Sequence, residues 1–202
     1  MILPHDITAL ILCGGEARRL GGVQKALLDL HGQPLVSWLL VALASHVGGI
    51  VISANDDLQH YAALGYPVVT DVRPGLGPLG GLQSALTQVS TPWVFVCPGD
   101  MPYMDGRVLD RLREQVGTSG AAYPFDGSRE QYLCALVRAD GLEKLTDYLA
   151  TGRRSAYGFL EAIGAVQVNM PELRECFVNV NDPETLDSLR LGKKPTVTGT
   201  TA

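Results

Sequence analysis

The chain has 202 residues, of which 46% are hydrophobic and 18% are charged, a balance typical of one globular domain and not of a disordered polypeptide. The 16 Lys and Arg residues against 21 Asp and Glu residues give a net charge of −5, which argues against a general nucleic-acid-binding surface. The four cysteines lie far apart and form no metal-binding or paired pattern, so we expect no zinc site, no disulfide framework and a cytoplasmic protein.

Short apolar runs alternate with helix-like patterns along the chain. This alternation is typical of a single α/β domain, Rossmann-like and three-layered, with a mainly parallel sheet and a small antiparallel part in its second half. The predicted strands are Thr8–Cys13, Gly49–Ala54, Pro67–Thr70, Trp93–Cys97, Ala121–Phe125, Tyr132–Val137, Ala165–Val168 and Cys176–Asn179. The predicted helices are Pro34–His46, Leu58–Leu64, Gly80–Val89, Asp105–Val116, Gly141–Ala150, Ser155–Ile163 and Pro183–Arg190, with Pro34 and Pro183 at the first helical position.

Two segments bear on the limits of this domain. Residues 32–55 carry no Asp, Glu, Lys or Arg, but Gly48 and Gly49 divide them and β-branched residues follow, so we predict a buried helix and a buried strand instead of a membrane span. Residues 192–202 contain two lysines and end in a threonine-rich stretch, which predicts a flexible C-terminal tail. The domain is therefore expected to cover residues 1–191 and to bind neither membrane nor nucleic acid.

The most informative motif follows the first predicted strand. It reads Leu12-Cys13-Gly14-Gly15-Glu16-Ala17-Arg18-Arg19-Leu20-Gly21-Gly22-Val23-Gln24-Lys25. Its glycines allow backbone N–H groups to approach an anion, and Arg18, Arg19 and Lys25 add positive charge, so the loop suits a triphosphate. The alternative is a flexible turn with solvated arginines. The spacing fits neither a Walker loop nor G-x-G-x-x-G.

Two aspartates follow predicted strands, at the edge where parallel sheets bind their ligands. Asp100 comes after the apolar run Trp93–Cys97 in a proline-flanked turn and suits Mg²⁺, which takes one or two carboxylates together with water and phosphate oxygens. Asp71 comes after Pro67–Thr70 and suits guanine, whose N1–H and 2-amino group both donate to a carboxylate. The alternatives are a turn cap for Asp100 and an ion pair with Arg73 for Asp71.

Two asparagines and two arginines complete the candidate site. Asn179 and Asn181 flank Val180 at the last predicted strand, where alternation places both amides on one face. They would orient a polar ligand or complete the outer shell of a metal, or else bond to loop backbone. Arg153 and Arg154 form a second basic pair, which would bind the phosphate of an acceptor or simply begin a solvated helix.

With these motifs in place, the chain resembles the molybdenum cofactor guanylyltransferases, a family of nucleotidyltransferases. The similarity begins with L-x-G-G-x-x-x-R-x-G-G-x-x-K at residues 12–25 and continues in the same order over most of the chain. It ends at Phe177-Val178-Asn179-Val180-Asn181-Asp182-Pro183-Glu184. The first loop by itself indicates only a nucleotidyltransferase, whereas the last segment favours the guanylyl branch.

The resemblance implies transfer of GMP from GTP to molybdopterin, with release of pyrophosphate and formation of molybdopterin guanine dinucleotide. It implies Mg²⁺ on Asp100, catalysis by Asp100, Lys25 and Arg19, and an acceptor contact for Asn179 and Asn181. Apo-molybdoenzymes or their chaperones would be protein partners. The resemblance also implies that an asparagine in this segment contacts the nucleotide. Ser53 stands where relatives have an asparagine, so either Ser53 or Asn55 makes this contact. The implied GTP-binding residues are Leu12, Cys13, Gly14, Gly15, Arg19, Lys25, Ser53, Asn55, Asp71, Gly80 and Asp100.

Two other functions stay open at this point. One is a nucleotidyltransferase for another base or acceptor, such as a molybdopterin cytidylyltransferase or a sugar-phosphate nucleotidyltransferase. The other is a module that binds a nucleotide without turning it over. The presence of both Lys25 and Asp100 favours an enzyme over such a module.

Overall fold

The computed structural model of the chain describes residues 1–14, 24–73, 75–86 and 88–192. The predicted tail, apart from Gly192 at its start, lies outside the described residues. None of the helices in the described ranges is both long enough and apolar enough to cross a lipid bilayer.

A seven-stranded sheet lies at the centre of the fold. In chain order its strands are β1 Ile7–Leu12, β4 Gly49–Ser53, β5 Val68–Val69, β6 Trp93–Pro98, β7 Ala121–Phe125, β8 Ala135–Arg138 and β9 Val166–Asn169, while β2 Asp29–Leu30 and β3 Gln33–Pro34 form a separate hairpin. The order across the sheet is β5-β4-β1-β6-β8-β7-β9. Strand β8 is antiparallel to both of its neighbours, and the other pairs are parallel. This confirms the mainly parallel sheet and its antiparallel part.

Helices cover both faces of the sheet, because successive side chains of its buried strands point in opposite directions. In β1, Ile7, Ala9 and Ile11 enter a core that includes Leu39 and Leu109, whereas Leu10 enters a second core on the other face. The domain is therefore three-layered, as predicted. The helices are α1 Leu35–Leu43, α2 Leu58–Ala62, α3 Pro78–Leu86, α4 Gly106–Gln115, α5 Leu142–Ala150, α6 Ala156–Ala162 and α7 Pro183–Arg190, with 3₁₀ helices at Pro4–Asp6, Lys25–Leu27, Ala139–Gly141 and Pro171–Phe177.

The structure corrects several predicted element boundaries. The predicted strand Cys176–Asn179 is wrong, because its apolar residues Cys176 and Phe177 are buried at the end of the 3₁₀ helix Pro171–Phe177. Pro34 lies one residue before α1, with an extended backbone that pairs with Asp29 in the hairpin. Strand β8 begins three residues later than predicted because Cys134 N–H donates to the Gln131 carbonyl in a turn.

Proline explains the starts of two other helices. Pro78, and not Gly80, begins α3, which agrees with the preference of proline for the first turn. Pro183 begins α7 as predicted, and the Asp182 carboxylate before it accepts a hydrogen bond of 2.7 Å from the Thr185 N–H.

One buried carboxylate organises the connection between β7 and β8. Asp126 is 2% exposed and accepts hydrogen bonds from the N–H groups of Ser128 (2.8 Å) and Arg129 (2.9 Å) and from Nε2 of Gln131 (2.7 Å). Burial by itself would raise the pKa of Asp126, but these hydrogen bonds together hold it below its usual value. Asp126 therefore stabilises the turn while it is ionised.

Asp126→Asn is expected to lower the free energy of unfolding by about 2 kcal/mol at neutral pH. The NH₂ group of the asparagine would face an N–H donor that now bonds to the carboxylate, so a buried hydrogen bond would be lost. A depressed pKa stabilises the fold above the unfolded-state pKa and loses this effect as the pH falls through the folded-state pKa. The difference from the wild type should therefore shrink below about pH 4. Urea denaturation at neutral pH and at acidic pH measures it, with Asp187→Asn on the surface as the control. An equal loss at both pH values would contradict the role of the ionised carboxylate.

Candidate active site

The carboxyl ends of β1, β4, β5 and β6 meet at one edge of the sheet, where the chain order turns from one side of β1 to the other. A cleft of about 680 Å³ opens at this edge, a volume suited to a small-molecule ligand. Many of the residues selected from the sequence line it: Leu12, Cys13, Gly14, Lys25, Ser53, Asn55, Asp71, Asp100 and Asn179. Gly15 and Arg19, which were selected with them, lie outside the described residues.

Asp100 lies in the cleft, two residues after the end of β6. Burial raises the pKa of its carboxyl group, and the positive charge of Lys25 opposes that rise. The Asp100 carbonyl accepts a 2.9 Å hydrogen bond from Val180 N–H, which draws the following segment of the chain against the site. As a result, Nδ2 of Asn179 lies 3.5 Å from Oδ1 of Asp100.

The donor atoms at this point fit a magnesium ion. Oδ1 of Asn179 is buried and has no hydrogen-bond partner within the described structure, a state that costs about 1–3 kcal/mol until a ligand or water satisfies it. A carboxylate is a suitable hard donor for Mg²⁺, whereas Oδ1 of Asn179 would have to turn toward Asp100 to join it, since Nδ2 faces that carboxylate. The described residues contain no group of three His, Cys, Asp or Glu side chains able to hold a metal, so water and phosphate oxygens would have to complete the coordination.

Lys25 begins the 3₁₀ helix Lys25–Leu27 and is only partly exposed. Its Nζ donates a 2.8 Å hydrogen bond to Oδ1 of Asn181. The prediction that Asn179 and Asn181 share one face of a strand is wrong, because they follow a 3₁₀ helix and form no strand. The segment nevertheless brings one amide to each charged residue, Asn179 to Asp100 and Asn181 to Lys25.

Asp71 and Asn55 form a second polar pair in the cleft. Nδ2 of Asn55 donates to Oδ2 of Asp71 at 3.1 Å, and the Asp71 N–H donates to Oδ1 of Asn55 at 2.9 Å. The amide of Asn55 therefore fixes the orientation of the carboxylate. Ser53, the other candidate at this strand end, is buried but also lines the cleft.

Two glycines at the start of α3 permit close packing around these residues. A Cβ at Gly80 would lie 3.0 Å from Oδ2 of Asp71, and a Cβ at Gly81 would lie 2.5 Å from Oγ of Ser53. Gly81 lines the cleft, whereas Gly80 lies against Asp71. The sequence pattern Gly-Gly does not show which of the two faces the ligand.

Leu133 and Cys13 show what else forms the wall of the cleft. Leu133 reaches it because β8 runs antiparallel, so that the residues before this strand lie at the same edge as the ends of the others. Sequence reasoning missed Leu133 because an isolated apolar residue carries no sign of strand direction.

Burial raises the pKa of the Cys13 thiol to about 12, so it stays protonated and is not a nucleophile.

Comparisons with known proteins agree with this geometry. Residues 9–166 match the family model described as the MobA-like NTP transferase domain. The molybdenum cofactor guanylyltransferase of Serratia proteamaculans is 37% identical over 187 residues, which cover 92% of this chain and 94% of the relative. The enzyme of the same description from Cupriavidus necator is 36% identical over 198 residues, covering 94% of this chain and 98% of the relative.

Solved structures show the same fold at lower identity. Molybdopterin-guanine dinucleotide biosynthesis protein A from Archaeoglobus fulgidus has a TM-score of 0.75 and 23% identity, covering 91% of this chain and 97% of that chain. The 2-C-methyl-D-erythritol 4-phosphate cytidylyltransferase from Thermus thermophilus has a TM-score of 0.69 and 15% identity, covering 90% and 96%. The names of these two structures refer to different nucleotides, a guanine nucleotide in one and a cytidine nucleotide in the other. The fold therefore does not identify the base, which must be assigned from the residues of the site.

Proposed function

The chain belongs to the family of MobA-like NTP transferases, and on this basis we propose that it transfers GMP from GTP to molybdopterin, forming molybdopterin guanine dinucleotide and pyrophosphate. The observation that carries the proposal is the meeting of Lys25, Asp71 and Asp100 in one cleft at the carboxyl ends of the strands. In nucleotidyl transfer from GTP, a cation would neutralise the departing phosphates, one carboxylate would hold a metal ion, and a second carboxylate would accept the donors of guanine.

In the proposed reaction, an oxygen of the acceptor phosphate attacks the α-phosphorus of GTP. The bond from that phosphorus to the bridging oxygen breaks, and the electron pair leaves with pyrophosphate. The acceptor oxygen is already ionised, so no strong general base is required. The cleft therefore acts by positioning the two substrates and by stabilising charge.

Each of the polar side chains of the cleft has its own role in the proposed reaction. Lys25, held by Asn181, would neutralise charge on the departing phosphates, and Arg19 would join it. Asp100, with Asn179 beside it, would hold Mg²⁺, and the chemistry that a bound magnesium ion supplies is Lewis-acid neutralisation of phosphate charge. Asp71, oriented by Asn55, would accept the two donors on the edge of guanine.

Pyrophosphate release tests the proposal directly. The full-length chain is mixed with Mg²⁺, molybdopterin and one nucleoside triphosphate at a time, and pyrophosphate and the dinucleotide are quantified. Release and dinucleotide formation are expected with GTP and not with CTP, UTP or ATP. A response to CTP alone would support a cytidylyltransferase, and binding of GTP without release would support a non-catalytic module.

Asp71→Asn tests how the base is recognised. The amide turns donor hydrogens toward the donors of guanine, so GTP affinity should fall by about tenfold or more, because buried polar groups are left unpaired. The wild type should prefer GTP to ITP, which lacks the 2-amino group, and the variant should lose most of that preference. Titration calorimetry with both nucleotides measures this, with Asp57→Asn on the neighbouring surface as the control. A variant that keeps the preference would show that Asp71 does not read the base.

A further inference from the structure

A row of three tyrosines lies beside the cleft. Tyr123 comes from β7, Tyr132 from the turn before β8, and Tyr157 from α6. The ring centroids of Tyr123 and Tyr132 are 5.2 Å apart, and those of Tyr132 and Tyr157 are also 5.2 Å apart. These are ordinary distances for tilted aromatic pairs. Three elements distant in the sequence therefore bring three tyrosine rings together, tilted by 49° and 54° to each other, with Tyr123 and Tyr132 half-buried and Tyr157 exposed.

This tyrosine row is continuous with the wall of the cleft. Tyr132 lines a small apolar cavity together with Leu12, Pro78 and Leu133, and these three residues also line the cleft itself. Tyr157, at one end of the row, is 48% exposed. Tyr157 therefore presents the exposed ring of the row, and Tyr132 connects it to the cavity beside the cleft.

Carboxylates lie close to the same rings. The Tyr157 hydroxyl donates to Oε1 of Glu161 at 3.4 Å. Burial raises the pKa of Tyr123 and of Tyr132, and the negative charge of Glu130 adds to the rise in both. The rings therefore stay neutral at physiological pH and have acidic neighbours.

We propose that the tyrosine row, at the exposed ring of Tyr157, is the platform on which the flat heterocycle of the acceptor stacks, with Glu161 accepting hydrogen bonds from its amino-bearing edge. Neutral rings beside carboxylates suit a planar, fused ring system that carries N–H donors, which is the chemistry of a pterin. The identification of that ring as the pterin of the acceptor rests on the proposed function.

Binding of a stable pterin tests the platform without turnover. Pterin-6-carboxylate is titrated with the full-length chain, and its fluorescence quenching is followed. We expect saturable quenching by the wild type, affinity weaker by about tenfold in Tyr157→Ala, and near-wild-type affinity in Tyr157→Phe, because stacking depends on the ring. Glu161→Gln should also weaken binding. Trp38→Ala, which removes a partly exposed aromatic ring from α1, is the matched control and should bind as the wild type does.

The possible outcomes separate the platform from the proposed function. Equal pterin affinity in the wild type and Tyr157→Ala, or no saturable quenching by the wild type, would overturn the platform whatever the transfer assay shows. Loss of pterin affinity in Tyr157→Ala, with GTP affinity unchanged, would support it even if no dinucleotide forms. Failure of dinucleotide formation with intact pterin and GTP binding would overturn the proposed function alone.

Discussion

Asp100→Ala is expected to lower the turnover number by about a thousandfold while GTP affinity falls by less than about tenfold. The carboxylate lies at the end of β6, in the cleft and beside Lys25, where burial already raises its pKa. The proposed role of Asp100 is to hold the positive charge of a magnesium ion next to the reacting phosphorus. That interaction strengthens as charge develops in the transition state, so its loss should appear mainly in turnover and not in ground-state binding.

The measurement compares steady-state turnover with GTP binding by calorimetry in the same preparations. Asp140→Ala, which removes an exposed carboxylate paired with Arg138, is the matched control and should behave as the wild type does. Equal losses of turnover and of GTP affinity in Asp100→Ala would contradict the assignment, because they would make Asp100 a uniform binding group.

The stability of Asp100→Asn provides an independent check. A carboxyl group whose pKa is raised on folding stabilises the folded state fully at pH values below the unfolded-state pKa, and this effect is lost as the pH rises through the folded-state pKa. At neutral pH the ionised, partly buried group therefore opposes folding. In magnesium-free buffer, Asp100→Asn should melt at or above the temperature of the wild type. A clearly lower melting temperature would show that the loss of activity reflects damage to the fold.

Asp100 and Asp71 were predictable from the sequence because each follows an apolar run that forms a buried parallel strand. In a parallel sheet the ends of such strands meet at one edge, so linear order alone places both carboxylates together. The glycine-rich loop after β1 could be located at the same edge for the same reason. The α/β class followed from the alternation of strands and helices.

The contacts of Asn181 and Leu133 were not predictable in this way. Cys176–Asn179 has the composition of a strand, but its apolar residues are buried from a 3₁₀ helix, and the Val180 hydrogen bond to Asp100 then sets the position of the segment. Leu133 depends on the insertion of β8 between β6 and β7 in the opposite direction. Both are tertiary contacts between distant parts of the chain, which local patterns do not specify.

Lys25→Ala is expected to lower kcat/KM by about a hundredfold to a thousandfold. Among the described residues, Lys25 is the cation expected to neutralise the departing phosphates. It lines the cleft, and its positive charge opposes the rise in the pKa of Asp100. Asn181 contacts Lys25 at 2.8 Å but, unlike Asn179, is not in the cleft wall. Asn181→Ala should therefore cost only about tenfold, by letting the lysine leave its position.

A double-mutant cycle shows whether the two residues act as one unit. If Asn181 works by holding the lysine, Lys25→Ala/Asn181→Ala should be no slower than Lys25→Ala, because a missing side chain has nothing left to be positioned. Lys25→Arg keeps the charge but changes its shape, and should retain more activity than alanine does. Single-turnover rates of pyrophosphate release measure all four variants under the same conditions. If the effects of Lys25→Ala and Asn181→Ala multiply instead, Asn181 contacts the substrate independently, and the hydrogen bond between them does not serve to place the charge.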